Sequence, residues 1–499
     1  MDFLGNLVLG FSVAGTLDNL VYCFIGTVLG TAVGVLPGLG PTATIALLLP
    51  FTFALDPLPS LIMLAGIYYG AQYGGSTTAI MLNLPGEPSA AVTVLDGYQM
   101  AQQGRAGHAL AVAALGSFFA GTVATFVIVL FAPALTSLAL TFGPAEYFSL
   151  IVLGLIFSVA LAHGSVVRAL AMVVFGLLLS LAGSDVTSGD ARFTFGYIEL
   201  ADGIDFVTLS VGFFGVAEIL RNLETEGIRG TVTKTIGRLM PSWSDLRRCV
   251  APVLRGTALG SVLGVLPGGG ALLSSFVSYS VEKRVSKHPG QFGKGAIEGV
   301  AGPEAANNAG AQTSFIPMLT LGLPSNAVMA MMIGALVIQG ITPGPNVISQ
   351  EPALFWGLVA SMWIGNLMLV ILNLPLIGIW VRMMTVSFTW LFPAIMTFSA
   401  IGCYTVNGNV FDVYALGVAG LLGYALVRLG CEPAPFLLGF VLGPMLEEHF
   451  RRAMVLSFGN PSVFITRPIS AGLLFLAALA LLAVALPSIA RKRNKVFVE

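Results

Sequence analysis

Charge is what this chain of 499 residues lacks most: 9% of it is Asp, Glu, Lys or Arg, while 56% is hydrophobic. Soluble domains carry about 25% charged residues, so an ordinary water-soluble enzyme is excluded. A mean hydropathy of +0.90 points to lipid as the solvent. Lys and Arg number 23 against 24 Asp and Glu, a net charge of −1 that offers nothing to attract nucleic acid. Cys23, Cys249, Cys403 and Cys431 are widely spaced without a C-x-x-C pair, so small apolar core residues are expected rather than disulfides or zinc ligands. The four histidines are equally scattered, and neither a metal cluster nor a cofactor is expected. Lys and Arg are missing from MDFLGNLVLGFSVAGTLDN at the start. That stretch lacks the basic start of a secretory signal and reads as an amphipathic or half-inserted segment of the mature protein. No G-x-x-x-x-G-K-[ST], H-E-x-x-H or G-x-S-x-G motif occurs, and Asp and Glu are too dispersed for an acid/base constellation, so no enzyme is expected.

What is present is apolar length. A span needs roughly 20 mainly apolar residues, and 109–131, 146–163, 166–183, 354–380, 411–428 and 470–487 qualify, with 205–220 less cleanly. Stretches 20–55, 58–84, 256–281 and 307–341 are apolar too, but each is broken near its middle by Pro, Gly or a cluster of Ser, Thr, Asn and Gln. The expected fold is an all-α polytopic membrane protein with about 10–14 membrane segments, some broken or re-entrant near the midplane. Non-helical backbone at that depth survives only where protein or a water-filled cavity covers it. The breaks are therefore the places to look for function.

The chain repeats itself. Residues 25–40 read IGTVLGTAVGVLPGLG and residues 255–270 read RGTALGSVLGVLPGGG, with ten of sixteen positions identical at an offset of 230. Gly70-Ala71-Gln72 leads through Ser and Thr to Leu84-Pro85, as Gly310-Ala311-Gln312 leads to Leu323-Pro324. The expected organisation is an N-terminal membrane repeat (1–220), a basic cytoplasmic linker (221–255), a C-terminal repeat (256–469), and a final transmembrane helix with a basic cytoplasmic tail (470–499). Of the 47 charged residues, 26 fall in 221–255, 282–304, 447–452 and 491–499, only 73 positions in all, and it is this unevenness that orients the chain. Basic loops stay cytoplasmic. The first copy is entered from an acidic flank with Asp2 and Asp18, the second from the most basic stretch, so the copies are expected to be inverted repeats. Basic residues at both ends of the second broken segment suggest a hairpin that never crosses.

The motif G-x-x-x-G-x-x-P-G-x-G occurs at Gly30–Gly40 and Gly260–Gly270. Its glycines four apart suit close helix packing. Its Pro-Gly part ends a helix, and a new helix starting beyond it presents free N–H donors and about half a positive charge, an anion site. The substrate-binding residues expected there are Gly38, Gly40, Thr42 and Thr44 in the first copy and Gly268, Gly269, Gly270, Ser274 and Ser275 in the second. The polar clusters add Gln72, Ser76, Thr77, Thr78 and Asn83, and Asn307, Asn308, Gln312, Thr313, Ser314, Ser325 and Asn326. Their hydroxyls and amides suit a carboxylate, or Na⁺ held near Pro37–Gly40 and Pro267–Gly270; interhelical hydrogen bonding is the structural alternative. A filter for a carboxylate or anion channel working without a binding protein would use the same breaks.

At these residues the sequence resembles the tripartite tricarboxylate transporter family, specifically its large membrane subunit, the TctA family. The resemblance rests on GTVLGTAVGVLPGLGPTATIALLLPFTF (26–53), YYGAQYGGSTTAIMLNLPGEPSA (68–90), GTALGSVLGVLPGGG (256–270), GPEAANNAGAQTSFIPMLTLGLPSNAVM (302–329) and EEHFRRAM (447–454). It implies a permease in the bacterial inner membrane, with a small membrane subunit (TctB-like) and a periplasmic solute-binding protein (TctC-like) as partners. It also implies uptake of citrate or related carboxylates driven by a coupling ion, Na⁺ or H⁺. Alanine at Gln72, Thr78, Asn308 or Gln312 is expected to reduce uptake while the protein still inserts into the membrane, with full uptake in all four variants counting against these sites.

Overall fold

The computed structural model describes residues 3–36, 40–52, 54–162, 165–185, 188–225, 236–266, 270–384 and 388–485. They form an all-α protein whose strands, among the described residues, are one short antiparallel pair, Gly183–Ser184 with Ala191–Arg192. Among the described residues, five helices are long and apolar enough to cross a membrane: Leu17–Gly34, Ala106–Ala139, Phe206–Glu224, Pro352–Asn373 and Val410–Arg428. Apolar side chains such as Phe126, Leu130, Val418 and Leu421 point outward from them, as lipid-facing residues do. The protein is a multi-pass membrane protein. The segment at the start forms the helix Phe3–Ala14, where Gly10 lies against Trp356 and Phe11 stacks on Trp363.

The two copies of the motif build the same object. Arms Leu17–Gly34 and Pro41–Thr52 are followed by the long helix Pro57–Leu82; arms Trp243–Leu263 and Gly270–Val285 are followed by Glu298–Thr313. In each copy the first arm packs parallel to the long helix along three glycines. Gly26, Gly30 and Gly34 meet Met63, Ile67 and Ala71; Gly256, Gly260 and Gly264 meet Gly302, Ala306 and Gly310. A Cβ on Gly30 would sit 2.3 Å from the Ile67 carbonyl oxygen, and one on Gly260 equally close to that of Ala306. Only glycine lets the backbones approach so far. Because first arm and long helix run parallel, the second arm must bring the chain back to the edge from which the first arm started. Both broken segments are therefore hairpins, and in the second copy Arg255 and Glu282 pair across the arms.

The long helices of the two copies run antiparallel. Tyr69 packs on Phe315 at 5.8 Å, while further along Ser76 reaches Glu304. The long helix of the first copy ends at Asn83 in a left-handed conformation (φ 61°), and in the second copy the continuing helix Phe315–Leu321 ends at Gly322 (φ 70°). Each stop is followed by Leu-Pro and by a chain that turns back toward the protein centre before a further helix leaves it, Ala91–Gln102 or Ala327–Ile338.

One edge of the molecule is fastened by polar contacts. Arg248 pairs with Glu298 at 2.8 Å, Arg105 lies 3.8 Å from Asp245, and Gly107 N donates to Ile236 O at 2.7 Å. At the same edge the buried Asp96 carboxylate accepts from the N–H groups of Gly293, Gly295 and Ala296 and from the Tyr279 hydroxyl. Residues 226–235 of the linker and the tail Arg491–Lys495 lie outside the described residues. Elsewhere, Glu447 and Arg451 from EEHFRRAM tie down the strand pair through Arg192 and Asp185.

The glycine seams give the first structural test. Gly30→Ala and Gly260→Ala are each expected to cost about 1–3 kcal/mol from overpacking, read as a lower melting temperature in detergent. Gly417→Ala, with nothing within 4 Å of the added methyl, should leave the melting temperature unchanged or slightly raised.

Candidate functional site

The inner ends of both hairpins open into one cavity of about 600 Å³. Five helix starts border it, four of them from the two copies and the fifth at Glu432 and Pro433, where the helix Pro433–Leu456 begins. Gly40, Pro41 and Thr42 begin one arm and Gly270, Ala271 and Leu272 its counterpart; Glu87, Pro88 and Ser89 lead into Ala91–Gln102, and Asn326, Ala327 and Val328 into Ala327–Ile338. The first N–H groups of a helix have no partner within it, and each start carries about half a positive charge. Gly270 adopts φ +44°, a conformation in which a side chain is strained. Asn326 caps its helix by accepting from Met329 N at 3.0 Å, while its amide lies 3.4 Å from the Tyr68 hydroxyl. Phe213 and Phe214 close another wall from a π-helical turn, Val211–Val216, inside an otherwise α-helical segment. Such turns re-aim side chains at functional sites.

Of the residues expected from sequence, Gly40, Thr42, Gln72, Gly270 and Asn326 line this cavity. Gly38, Gly268 and Gly269, with the Na⁺ positions expected beside Pro37 and Pro267, lie outside the described residues. Thr44 and Ser274, 230 positions apart, make the same contact one turn into their arms, donating to Gly40 O at 3.0 Å and Gly270 O at 2.7 Å. Ser275 donates to Leu272 O, and Ser325 to Ser314 O.

Other residues of the polar clusters belong to the seams. Thr78 reaches the carbonyls of Gly34 and Gly74, both at 3.1 Å; Ser314 reaches Gly264 O and Gly310 O, and Thr313 reaches Gly260 O and Ala309 O. Asn83 is the exposed helix terminator described above. Asn308 donates to Ser117 Oγ at 2.6 Å. Asn307 donates to Glu87 Oε1 at 3.3 Å, and Gln312 is buried with its amide oxygen unpartnered. Ser76 and Thr77 face a second, much smaller cavity beside Glu304.

Sequence reasoning left Glu87, Ser89, Tyr68, Glu218, Arg221 and Glu432 out of the expected site, yet all of them border the large cavity. Glu87 carries the one signal that was legible: a rare charge between two prolines, directly after the polar cluster. The lining holds three carboxylates, Glu87, Glu218 and Glu432, against Arg221, which lies 3.7 Å from Glu218. Positive potential at the inner wall therefore comes from helix starts rather than from resident cations.

Long apolar helices around a central cavity built from interrupted helix ends define a membrane transport protein. The model of the tripartite tricarboxylate transporter TctA family matches residues 20–438, and the chain belongs to that family. That family makes it a transporter subunit. It is 64% identical over 499 residues to an uncharacterized 52.8 kDa protein in the TAR-I ttuC' 3' region of Agrobacterium vitis, covering 100% of this chain and 99% of that one. An uncharacterized protein in the TAR-II ttuC' 3' region of the same organism is 66% identical over 240 residues, 48% of this chain and 99% of that protein. No solved structure matches the chain.

These positions separate packing from binding. Thr78→Val should lower the melting temperature by removing a seam contact worth about 0.6 kcal/mol in a membrane. Gln72→Ala, which removes a buried acceptor of Ser89 Oγ, should also lower the melting temperature. It should in addition weaken carboxylate uptake in reconstituted vesicles, which Thr78→Val should leave intact.

Proposed function

We propose that the chain is the permease subunit of a binding-protein-dependent secondary transporter that imports tricarboxylates such as citrate, or related carboxylates, across the bacterial inner membrane. In this reading a Na⁺ or H⁺ gradient drives uptake. A small TctB-like subunit and a periplasmic TctC-like protein complete the assembly, the latter delivering substrate. The convergence of four helix starts, two from each copy, on one cavity carries the proposal. Its volume lies within the roughly 300–1,000 Å³ of small-molecule sites, and its inner wall offers the dipoles that anions favour at helix starts. A carboxylate there needs few resident cations, and a co-bound cation offsets the rest of its charge beside Glu87.

The copies act as inverted repeats of the two halves 1–220 and 256–469, joined by the linker 221–255. The antiparallel course of Pro57–Leu82 and Glu298–Thr313 supports this. The basic edge at Arg105, Arg248 and Lys294 then faces the cytoplasm.

Reconstitution with both partner subunits tests the reading. Citrate should accumulate against its gradient only with the binding protein present and a Na⁺ or proton gradient imposed. Equilibration without either would instead mark a channel. Ala271→Asp places a like charge at a helix start and should raise KM for uptake at least about tenfold, equivalent to about 1.4 kcal/mol; an unchanged KM would remove that helix start from the site.

A further inference from the structure

Four glutamates are buried among the described residues; Glu146 and Glu282 pair with Arg467 and Arg255, which leaves Glu87 at 5% and Glu304 at 1% exposure. Neither has a Lys, Arg or His within ion-pair distance among the described residues. A buried carboxylate without a counter-charge is costly and is avoided by taking up a proton. The hydrogen bonding around both groups suits that exchange. Ser76 Oγ lies 2.6 Å from Glu304 Oε2 and 2.9 Å from the carbonyl oxygen of Gln72. Ser89 Oγ contacts Glu87 Oε1 and lies 3.0 Å from Gln72 Oε1. Each serine thus has two acceptors for a single hydroxyl proton. When the glutamate is ionised, the serine donates to it. When the glutamate is protonated, its O–H donates to the serine, whose own proton turns to Gln72. Both states are satisfied without moving a heavy atom.

A second observation points the same way. Glu304 borders a small cavity of about 10 Å³ with Tyr73, Ser76, Thr77, Ser117 and Asn373, room for about one water. Asn373 Oδ1, on a residue only 3% exposed, has no donor, and neither does the fully buried Asn307 Oδ1 one turn from Glu304. An acceptor without a donor, bordering the same small cavity as the Glu304 carboxylate, calls for an added proton. No fixed cation opposes its arrival. The titratable groups packed nearest are Tyr73, whose hydroxyl donates to Asn366 Oδ1, and Glu87. Asp96 and Glu282 lie against Gly299 and Gly302 of the same helix. Asp96 is already held by three N–H groups and Tyr279, and Glu282 by Arg255.

We propose that Glu304 is the proton-carrying group of this transporter, and that Glu87 exchanges the proton between it and the large cavity. The inference rests on the transporter reading above and names its coupling ion. In each cycle a proton leaves hydronium on the outer side and forms an O–H bond on the Glu87 carboxylate, which breaks as one forms on Glu304. It returns by the same exchange to water on the inner side, so each O–H bond formed is matched by one broken.

The test has one arm that needs no substrate. Infrared difference spectra of the purified full chain across the neutral pH range should show the C=O band of a protonated carboxyl, which Glu304→Gln removes and Glu304→Asp retains. A wild type without the band, or a Glu304→Gln protein that keeps it, overturns the proposal. The second arm uses citrate and the complete transporter in vesicles with the membrane potential clamped at zero. For one proton per carboxylate, a gradient of one pH unit supports about tenfold accumulation. Glu304→Gln should accumulate none, yet still exchange internal for external citrate. Accumulation that survives in Glu304→Gln, or a wild type that responds to Na⁺ alone and moves no protons into a trapped pH dye, overturns it. Should Glu304→Gln fail to fold, the wild-type proton flux and the Glu304→Asp spectrum decide. If no carboxylate is transported at all, the transporter reading fails while the infrared arm still decides the protonation of Glu304.

Discussion

Everything at the centre of this molecule depends on two backbone-to-backbone seams. Gly26, Gly30 and Gly34 set one helix against Pro57–Leu82, and Gly256, Gly260 and Gly264 set its counterpart against Glu298–Thr313. In a membrane, packing contacts of this kind replace the hydrophobic drive that assembles soluble proteins. The seams fix where each first arm stops, and so where each second arm starts. Carbonyls along them also take up hydroxyls from Thr78, Thr313 and Ser314, which would otherwise be unsatisfied in an apolar interior. Two starts that face one cavity are the product of a repeated packing rule rather than of separate local designs.

The cavity itself combines two kinds of electrostatics. Its inner wall is lined by helix starts, whose partial charges are part of the backbone and need no desolvated side chain. Its remaining wall carries carboxylates, with Arg221 close to Glu218. In the proposed reading such a site favours an anion at the helix starts and a cation beside the carboxylates. Gln72 lies between two serines, accepting from Ser89 Oγ through its side-chain oxygen and from Ser76 Oγ through its backbone carbonyl.

Much of this was legible in the sequence because the glycine spacing is a backbone requirement, and backbone requirements leave a strict signature. The sixteen-residue match at an offset of 230 reappears as matching seams and as the matching hydroxyl contacts of Thr44 and Ser274. The arms of the second copy fold back on each other as the expected hairpin requires. Helices lie over most of 109–131, 146–163, 166–183, 411–428 and 470–487, whereas the expected span 354–380 is divided into Pro352–Asn373 and Ile377–Met383. What the sequence left undivided was the polar clusters. On a helix as uniformly apolar as Pro57–Leu82, whose residues from Ser60 to Leu82 are all buried, no hydrophobic periodicity tells which hydroxyl faces a seam and which a cavity. Gln72 reaches the cavity and Thr78 the seam six residues later. Asn83 looks polar and functional in sequence, but its left-handed conformation makes it a terminator. Glu87 and Glu304 escaped the expected site because their significance comes from what they lack, a nearby cation, and this is a property of three-dimensional neighbours.

Recognition by helix starts also bears on how such a protein diversifies. A main-chain N–H is the same whatever residue supplies it, so in the proposed reading substitutions at Thr42 or Leu272 would leave the basic affinity for a carboxyl group largely in place. Discrimination by size and shape falls to the few side chains at the margin, such as Tyr68, Phe213, Phe214 and Asn326. A scaffold of this kind is conservative in what chemistry it accepts and permissive in which molecule bears it. Selection can retune its diet by altering a handful of marginal positions while the frame that holds them stays untouched.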